Sequence, residues 1–405
     1  MTVTAVNIRS AAEQLAGRVV RTPCRRSEAL SALAGAEVYL KFENQQHTAS
    51  FKGRGALVKL LSLDAAQRKR GVIAMSAGNH AQGVAYHAQR MGVPATIVMP
   101  VSTPFNKVQQ TRKLGARVVL HGQQLAESET KVHELVAAED LVLVHPYDDE
   151  AVIAGQGTVA LEMLEDHPDI DCLCVPVGGG GLLAGMSIAA HDLKPGLDIF
   201  GVQTRAFPSM HALLNGQPLQ CGTTTIAEGI AVRNAGRITS AILREHAREI
   251  LLVDEADIEN AISLLISVEK TVAEGAGAAG LAALLAHPER FRGRKVGIVL
   301  CGGNIDTRLL GIVLQRQLVR EQRLVTLRFE ITDLPGTLGR IAGLIGEAGG
   351  NIIDVTHHRL FLDVSAKAAD LDFTIETRDA AHTAQVEETL RAAGLEPRRL
   401  SAVGA

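Results

Sequence analysis

From Gly71 the chain repeats one pattern: a short run rich in Val and Ile, a glycine-bearing turn, then a segment of helical length. GVIAMS is followed by the turn AGN and by HAQGVAYHAQRMG, PATIVMP by PFNKVQQTRKLG, and ARVVLHG by a helical stretch through Glu139. Short continuous apolar runs suit strands buried on both faces. Their alternation with helices predicts a mostly parallel sheet covered on both sides. A second set follows, in which CLCVPVG leads into GGGLLAGMSIAAHDL and then DIFGVQT, with GRKVGIVLCGG as a later strand ending in glycine. Between these, Asp257–Leu285 reads as helical with an interruption at EGAGAAG. Residues 1–320 therefore form one α/β region of two units, the smaller at about 45–150.

The character changes after Arg320. RLVTLRFEIT alternates like a strand with one wet face. TLGRIAGLIGEAGG is a short amphipathic helix with Leu338, Ile341, Leu344 and Ile345 on one side, and Gly349 and Gly350 suit its end. NIIDVTHHRLF and LDFTIETR read as strands, HTAQVEETLRAAG as a helix, and a last strand fits near Pro397–Val403. Strand, helix, strand, strand, helix, strand is the split βαβ plan of an α+β ferredoxin-like domain. This tail, residues 325–405, carries no cluster of reactive side chains, which points to regulation or assembly.

Bulk properties remove several function classes. Aromatics are 3% of the 405 residues with no Trp, and the formal net charge is −3, so neither stacking platforms nor a basic surface for nucleic acid is expected. No apolar run is long enough to span a bilayer, and the opening MTVTAVNIRSAAEQL does not read as a secretory leader. Five scattered cysteines argue against a disulfide framework and for a reducing cytoplasm. Cys172 and Cys174 sit in an apolar run without other ligand types nearby, so they read as core and not as a metal site.

Three places carry chemistry. In SFKGRGA, Lys52 lies among small residues just before a helix, where a helix N-terminus disfavours an ammonium and keeps the amine available. Most lysines are solvated surface groups, and by itself this one reads equally so. SAGNHAQG, residues 76–83, joins a buried strand to a helix, and backbone N–H groups there can hold a carboxylate or phosphate. Asn79 offers a neutral donor, or simply caps the helix; His80 is either catalytic or orients the loop. VGGGGLLAG, residues 177–185, lets backbone wrap an anion, but it lacks both the first-unit dinucleotide pattern and a Walker lysine.

Together KFENQQHTASFKGRGA, MSAGNHAQG, PVGGGGLLAG, TTTIAEGIAV, EGAGAAG and LCGGN, in this order along the chain, resemble the threonine dehydratase (threonine ammonia-lyase) group of fold-type II pyridoxal phosphate (PLP) enzymes. The tail, most of all ITDLPGTLGRIAGLIGEAGGNI, is similar to an ACT domain. The resemblance implies a two-domain, tryptophan synthase β-like α/β catalytic region followed by an ACT regulatory domain. It implies that Lys52 is the Schiff-base lysine, that Phe51 packs near the cofactor, and that Asn79 meets the pyridine 3′-oxygen. It assigns Gly178, Gly179, Gly180, Gly181 and Leu182 to the cofactor phosphate and Cys301 to the pyridine nitrogen. Ser76, Ala77, Gly78, Asn79 and His80 would take the substrate carboxylate, with Glu274 near the ring on the substrate side.

The implied reaction is β-elimination of water from L-threonine, giving 2-oxobutanoate and ammonia, with L-serine giving pyruvate. A related dehydratase for serine, 3-hydroxyaspartate or an aryl-serine shares every cofactor residue. A reading of another class is an ACT-based amino-acid sensor without catalysis, which would not need Lys52. Two departures stand out: Ala49 replaces the usual glycine of TGSFK, which would narrow the pocket beside the lysine, and Ala77 replaces the serine of related racemases, which favours elimination. TRAFPSM lacks the acidic pair with which some relatives bind a divalent cation, so no metal is expected in the site. The ACT tail implies a homodimer or homotetramer and, for a biosynthetic enzyme, isoleucine or valine as effector; for a degradative one it implies a nucleotide or no effector.

Overall fold

The computed structural model describes residues 3–123, 125–359 and 368–400, without the side chains of 125–126. It divides into two compact units, one up to Ile305 and one from Asp306 onward.

The first unit holds two sheets. The larger runs Cys24–Ser27, Glu37–Lys41, Lys295–Val299, Cys172–Pro176, Asp198–Thr204, Glu249–Val253. Only its first pair is antiparallel. The smaller runs Arg117–Leu120, Ala95–Met99, Val72–Met75, Val142–Leu143 and is wholly parallel. Central strands such as Ala95–Met99 and Cys172–Pro176 are buried at every residue, as expected for parallel strands covered on both faces. Cys172 and Cys174 are part of that buried strand.

The helix Glu150–Asp166 is buried along most of its length and packs against the helices Lys52–Leu61 and Gly181–Leu193. Glycine permits this approach. A Cβ on Gly155 would lie 2.7 Å from Gly55 Cα, and one on Gly185 would lie 2.2 Å from the Ile153 carbonyl oxygen. One central helix thus anchors both the lysine helix and the helix that follows the tetraglycine run.

Buried Arg54, two residues after Lys52, locks the same packing with charge. Its Nε and Nη2 donate to the two carboxylate oxygens of Glu43 at 2.9 and 2.8 Å, and its Nη1 donates to Glu162 at 2.6 Å. Lys41, also buried, pairs with Glu162.

The second unit begins with the helix Thr307–Arg320, so the division falls at Asp306 and not after Arg320. The change of pattern at Arg320 is only the passage from helix to strand within that unit. Its antiparallel sheet runs Asn351–His358, Ala368–Glu376, Leu324–Thr332, Arg398–Leu400. With the helices Thr337–Glu347 and Ala380–Ala392, this is the ferredoxin-like order. Ile341 and Ile345 join Phe329, Phe373, Val386 and Leu390 in one core, but Leu338, expected on the same face, is exposed. Residues 360–361 and 401–403 of the expected strands lie outside the described residues.

The expected helix at Asp257–Leu285 is two helices, Glu255–Ser267 and Gly275–Ala286. The break precedes the glycines: EGAGAAG starts the second helix, with Glu274 at its N-cap. Among the described residues no helix is long and apolar enough to cross a membrane.

Candidate active site

Lys52 is the first residue of the helix Lys52–Leu61, with Phe51 at the N-cap position. The Phe51 N–H donates to the Cys301 carbonyl at 3.1 Å, which joins the start of this helix to the strand end that carries Cys301. Lys52 Nζ donates to the Pro146 carbonyl at 2.7 Å and lies 5.2 Å from the centroid of the Phe51 ring. Burial holds the amine down at about 8, against the opposing pull of Cys301 and Glu274. Near neutral pH a useful fraction is therefore unprotonated.

Cys301 is buried, and burial together with Glu274 pushes its thiol far up, so it stays neutral. Glu274 is raised to about 7 by burial, with the Asn79 hydrogen bond working against that shift. Asn79 Nδ2 donates to Glu274 Oε1 at 2.6 Å. Asn79 is the first residue of the helix Asn79–Met91, whose N-cap is Gly78 with no side-chain cap bond. It is therefore not a cap; its Oδ1 accepts from Asn304 Nδ2 at 2.7 Å, and beside the bond to Glu274 one N–H of its amide remains for the site.

The loop before it is partly open at Ser76, Ala77, Gly78 and Asn79, and the Gly78 N–H donates to Ser76 Oγ at 3.2 Å. His80 turns away from this opening. It is buried, donates from Nε2 to the Val144 carbonyl at 2.8 Å, and is depressed to about 3 by burial and by the charge of Lys52. Of the two readings of His80, the geometry favours the one that orients the loop; what it can offer a carboxylate is backbone.

The tetraglycine run leads into the helix Gly181–Leu193, again without a side-chain cap bond. Gly180, at φ +100, makes the turn. The space beside the run is taken by Tyr147: a Cβ on Gly179 would lie 2.3 Å from its ring. Thr239 Oγ1 donates to the Gly179 carbonyl at 2.7 Å, and the Gly236 N–H does so at 3.2 Å. Asp148 accepts from the N–H groups of Arg237, Ile238 and Thr239 and so fixes the helix that carries Thr239.

The segment Pro146–Asp148 thus touches the lysine on one side and the glycine run on the other. Sequence reasoning missed it, along with Thr239 and Asn304. Its only signal was the string HPYDD between a strand and a helix.

The pieces fit a phosphorylated aldehyde cofactor with an aromatic ring. They supply an amine that is neutral in part, an uncapped helix start behind glycines for the phosphate, a neutral thiol and an amide donor. The family described as pyridoxal-phosphate dependent enzyme matches residues 15–302, and the ACT domain matches residues 325–395. The chain belongs to the pyridoxal-phosphate dependent enzyme family and carries an ACT domain.

Among relatives of this pyridoxal-phosphate enzyme, the L-threonine ammonia-lyase of Thermotoga maritima is 42% identical over 398 residues, 98% of this chain and 99% of that protein. The L-threo-3-hydroxyaspartate ammonia-lyase of a Pseudomonas species is 41% identical over 298 residues, 73% of this chain and 93% of that protein. Among solved structures, the processed threonine deaminase isoform from Solanum lycopersicum superposes with TM-score 0.72 at 34% identity, covering 77% of this chain and 86% of that one. The two-domain α/β architecture with a following ACT domain agrees with the expectation from sequence.

Proposed function

We propose that this chain removes ammonia from L-threonine to give 2-oxobutanoate, by elimination of water across Cα and Cβ, and converts L-serine to pyruvate as a second reaction. The observation that carries the reaction class is the enclosed Lys52 amine, held near 8 between the Cys301 strand end and the Pro146–Tyr147 segment. The choice of threonine rests on similarity to an L-threonine ammonia-lyase along nearly the whole of both chains.

Pyridoxal phosphate, when bound, supplies the electron sink that makes the α-hydrogen acidic. Lys52 would hold the cofactor and then take the α-proton at Nζ. The backbone of Gly178, Gly179, Gly180, Gly181 and Leu182 would bind the phosphate at the helix start. Asn79 would donate to the ring oxygen, Cys301 would face the ring nitrogen as a neutral group, and Phe51 would pack beside the ring. Ser76, Ala77, Gly78, Asn79 and His80 would receive the substrate carboxylate, with Glu274 alongside. The hydroxyl group must leave as water, so a proton has to reach it in the same step.

The ACT unit supports a regulatory amino acid such as isoleucine or valine, and a homodimer or homotetramer. All five cysteines are free thiols, which supports a cytoplasmic setting.

The test is keto-acid release from holoenzyme given L-threonine, L-serine or L-threo-3-hydroxyaspartate separately. Rapid 2-oxobutanoate from threonine, abolished in Lys52→Ala, is the expected result. Oxaloacetate from hydroxyaspartate with threonine inert would move the substrate to the second relative.

A further inference from the structure

Asn79 and Asn304 stand 225 residues apart in sequence, yet Asn304 Nδ2 donates to Asn79 Oδ1 at 2.7 Å. The same nitrogen donates to the Thr48 carbonyl at 2.9 Å. Beyond Asn79 the chain of bonds ends on Glu274 Oε1.

A carboxamide has two ends of nearly equal shape and opposite hydrogen-bonding character. Packing cannot choose between its two flips; partners can. The choice here begins at Thr48. A backbone carbonyl only accepts, so the end of Asn304 that faces it must be the NH2 group. The second N–H of that group meets Asn79, so the Asn79 atom there must be the oxygen. Asn79 Nδ2 is then turned toward Glu274, whose carboxyl oxygen accepts in either protonation state. One N–H of Asn79 is used in this way and one remains.

We propose that Asn304 is a positioning residue that sets the amide flip of Asn79, so that Asn79 presents an N–H and not a carbonyl oxygen to the cofactor. This rests on the reading above in which Asn79 meets the oxygen of the pyridine ring. That oxygen carries negative charge when deprotonated, so an N–H stabilises it and a carbonyl oxygen repels it.

The test compares Asn304→Asp with Asn304→Ala in the full-length holoenzyme, alone and combined with Asn79→Ala. Two quantities are read: the ratio of visible to near-ultraviolet absorption of the bound cofactor, and the cofactor dissociation constant. Aspartate keeps the shape of asparagine but offers only oxygen, and so enforces the wrong flip. Alanine merely releases Asn79. Asn304→Asp is expected to lower the absorption ratio and weaken cofactor binding by about tenfold or more, with Asn304→Ala within about threefold of wild type. In the Asn79→Ala background the effect of Asn304→Asp should vanish.

A packing role predicts the reverse order, alanine worse than aspartate, and that order overturns the proposal. An undiminished aspartate effect in the Asn79→Ala background overturns it as well. If Asn79→Ala shifts the band while Asn304→Asp is silent, only the positioning role falls. If Asn79→Ala itself changes nothing, the contact between Asn79 and the ring oxygen falls first.

Discussion

Lys52 donates to the carbonyl oxygen of Pro146, whose neighbour Tyr147 fills the space beside Gly179. The amine and the glycine run are therefore held by one short segment, and the lysine is oriented before any ligand arrives. With the amine near 8, its neutral fraction rises about tenfold per pH unit below that value and levels off above it. The rate at which apo-enzyme takes up pyridoxal phosphate covalently should follow that curve in stopped-flow absorbance. Borohydride reduction and peptide mapping should place the cofactor on Lys52. Lys52→Ala should lose more than about a thousandfold in turnover. A label on another lysine would refute the assignment.

Ala49 occupies the left-handed region at φ +52, and its carbonyl accepts from the Gly303 N–H at 2.9 Å. The sequence offered this alanine as a side chain narrowing the pocket; the structure adds a backbone consequence. An L-residue in this region costs about 1–2 kcal/mol, partly offset by the lower entropy of alanine in the unfolded chain. Ala49→Gly is therefore expected to stabilise the enzyme by about 1 kcal/mol or less. Denaturant unfolding of the apo-enzyme checks this, and a loss of stability would show that the strain is absent.

Arg54 is 1% exposed and spans Glu43, which has no exposed surface, and Glu162. Removing the guanidinium leaves the buried Glu43 carboxylate with only the neutral donors Thr22 and Gln46, while Glu162 keeps Lys41. Arg54→Met should cost about 3–5 kcal/mol of stability, even though methionine fills much of the volume. Glu43→Gln should cost less, because an amide oxygen still accepts from arginine. A Met variant as stable as wild type in thermal unfolding would mean that water already solvates this cluster.

The contrast between Lys52 and Arg54 marks what was legible in the sequence. Lys52, Asn79, the glycine run and Cys301 lie in short strings whose chemistry depends on neighbours in sequence, so each string was readable whole. Arg54 sits in the same string as Lys52, but its partners at 43 and 162 come from a different strand end and helix. Thr239 was missed for the same reason, and Asn304, although it closes the string LCGGN that holds Cys301, shows its task only through partners at 48 and 79. The parallel sheets were legible because burial on both faces writes itself as unbroken apolar runs. The division at Asp306 was not, because the pattern of the amphipathic helix Thr307–Arg320 gives no sign of which unit it joins.

Glu274 gives the sharpest dependence on pH. Burial raises its carboxyl to about 7, above the ordinary 4.5, so the folded apo-enzyme holds this proton more tightly than the unfolded chain does. Between those two values the folded state binds the extra proton, and stability falls as pH rises. The contribution is fully present below about 4.5 and lost by the time the pH has passed about 7. Glu274→Gln is neutral throughout, and its amide oxygen can still accept from Asn79. The melting temperature of Glu274→Gln relative to wild type should therefore climb between pH 5 and 7 and level off above that window. Taking the difference between the two proteins removes every other titrating group to first order. A difference that stays flat across the window would mean that Glu274 ionises as an ordinary carboxylate, and that Asn79 donates to a full negative charge.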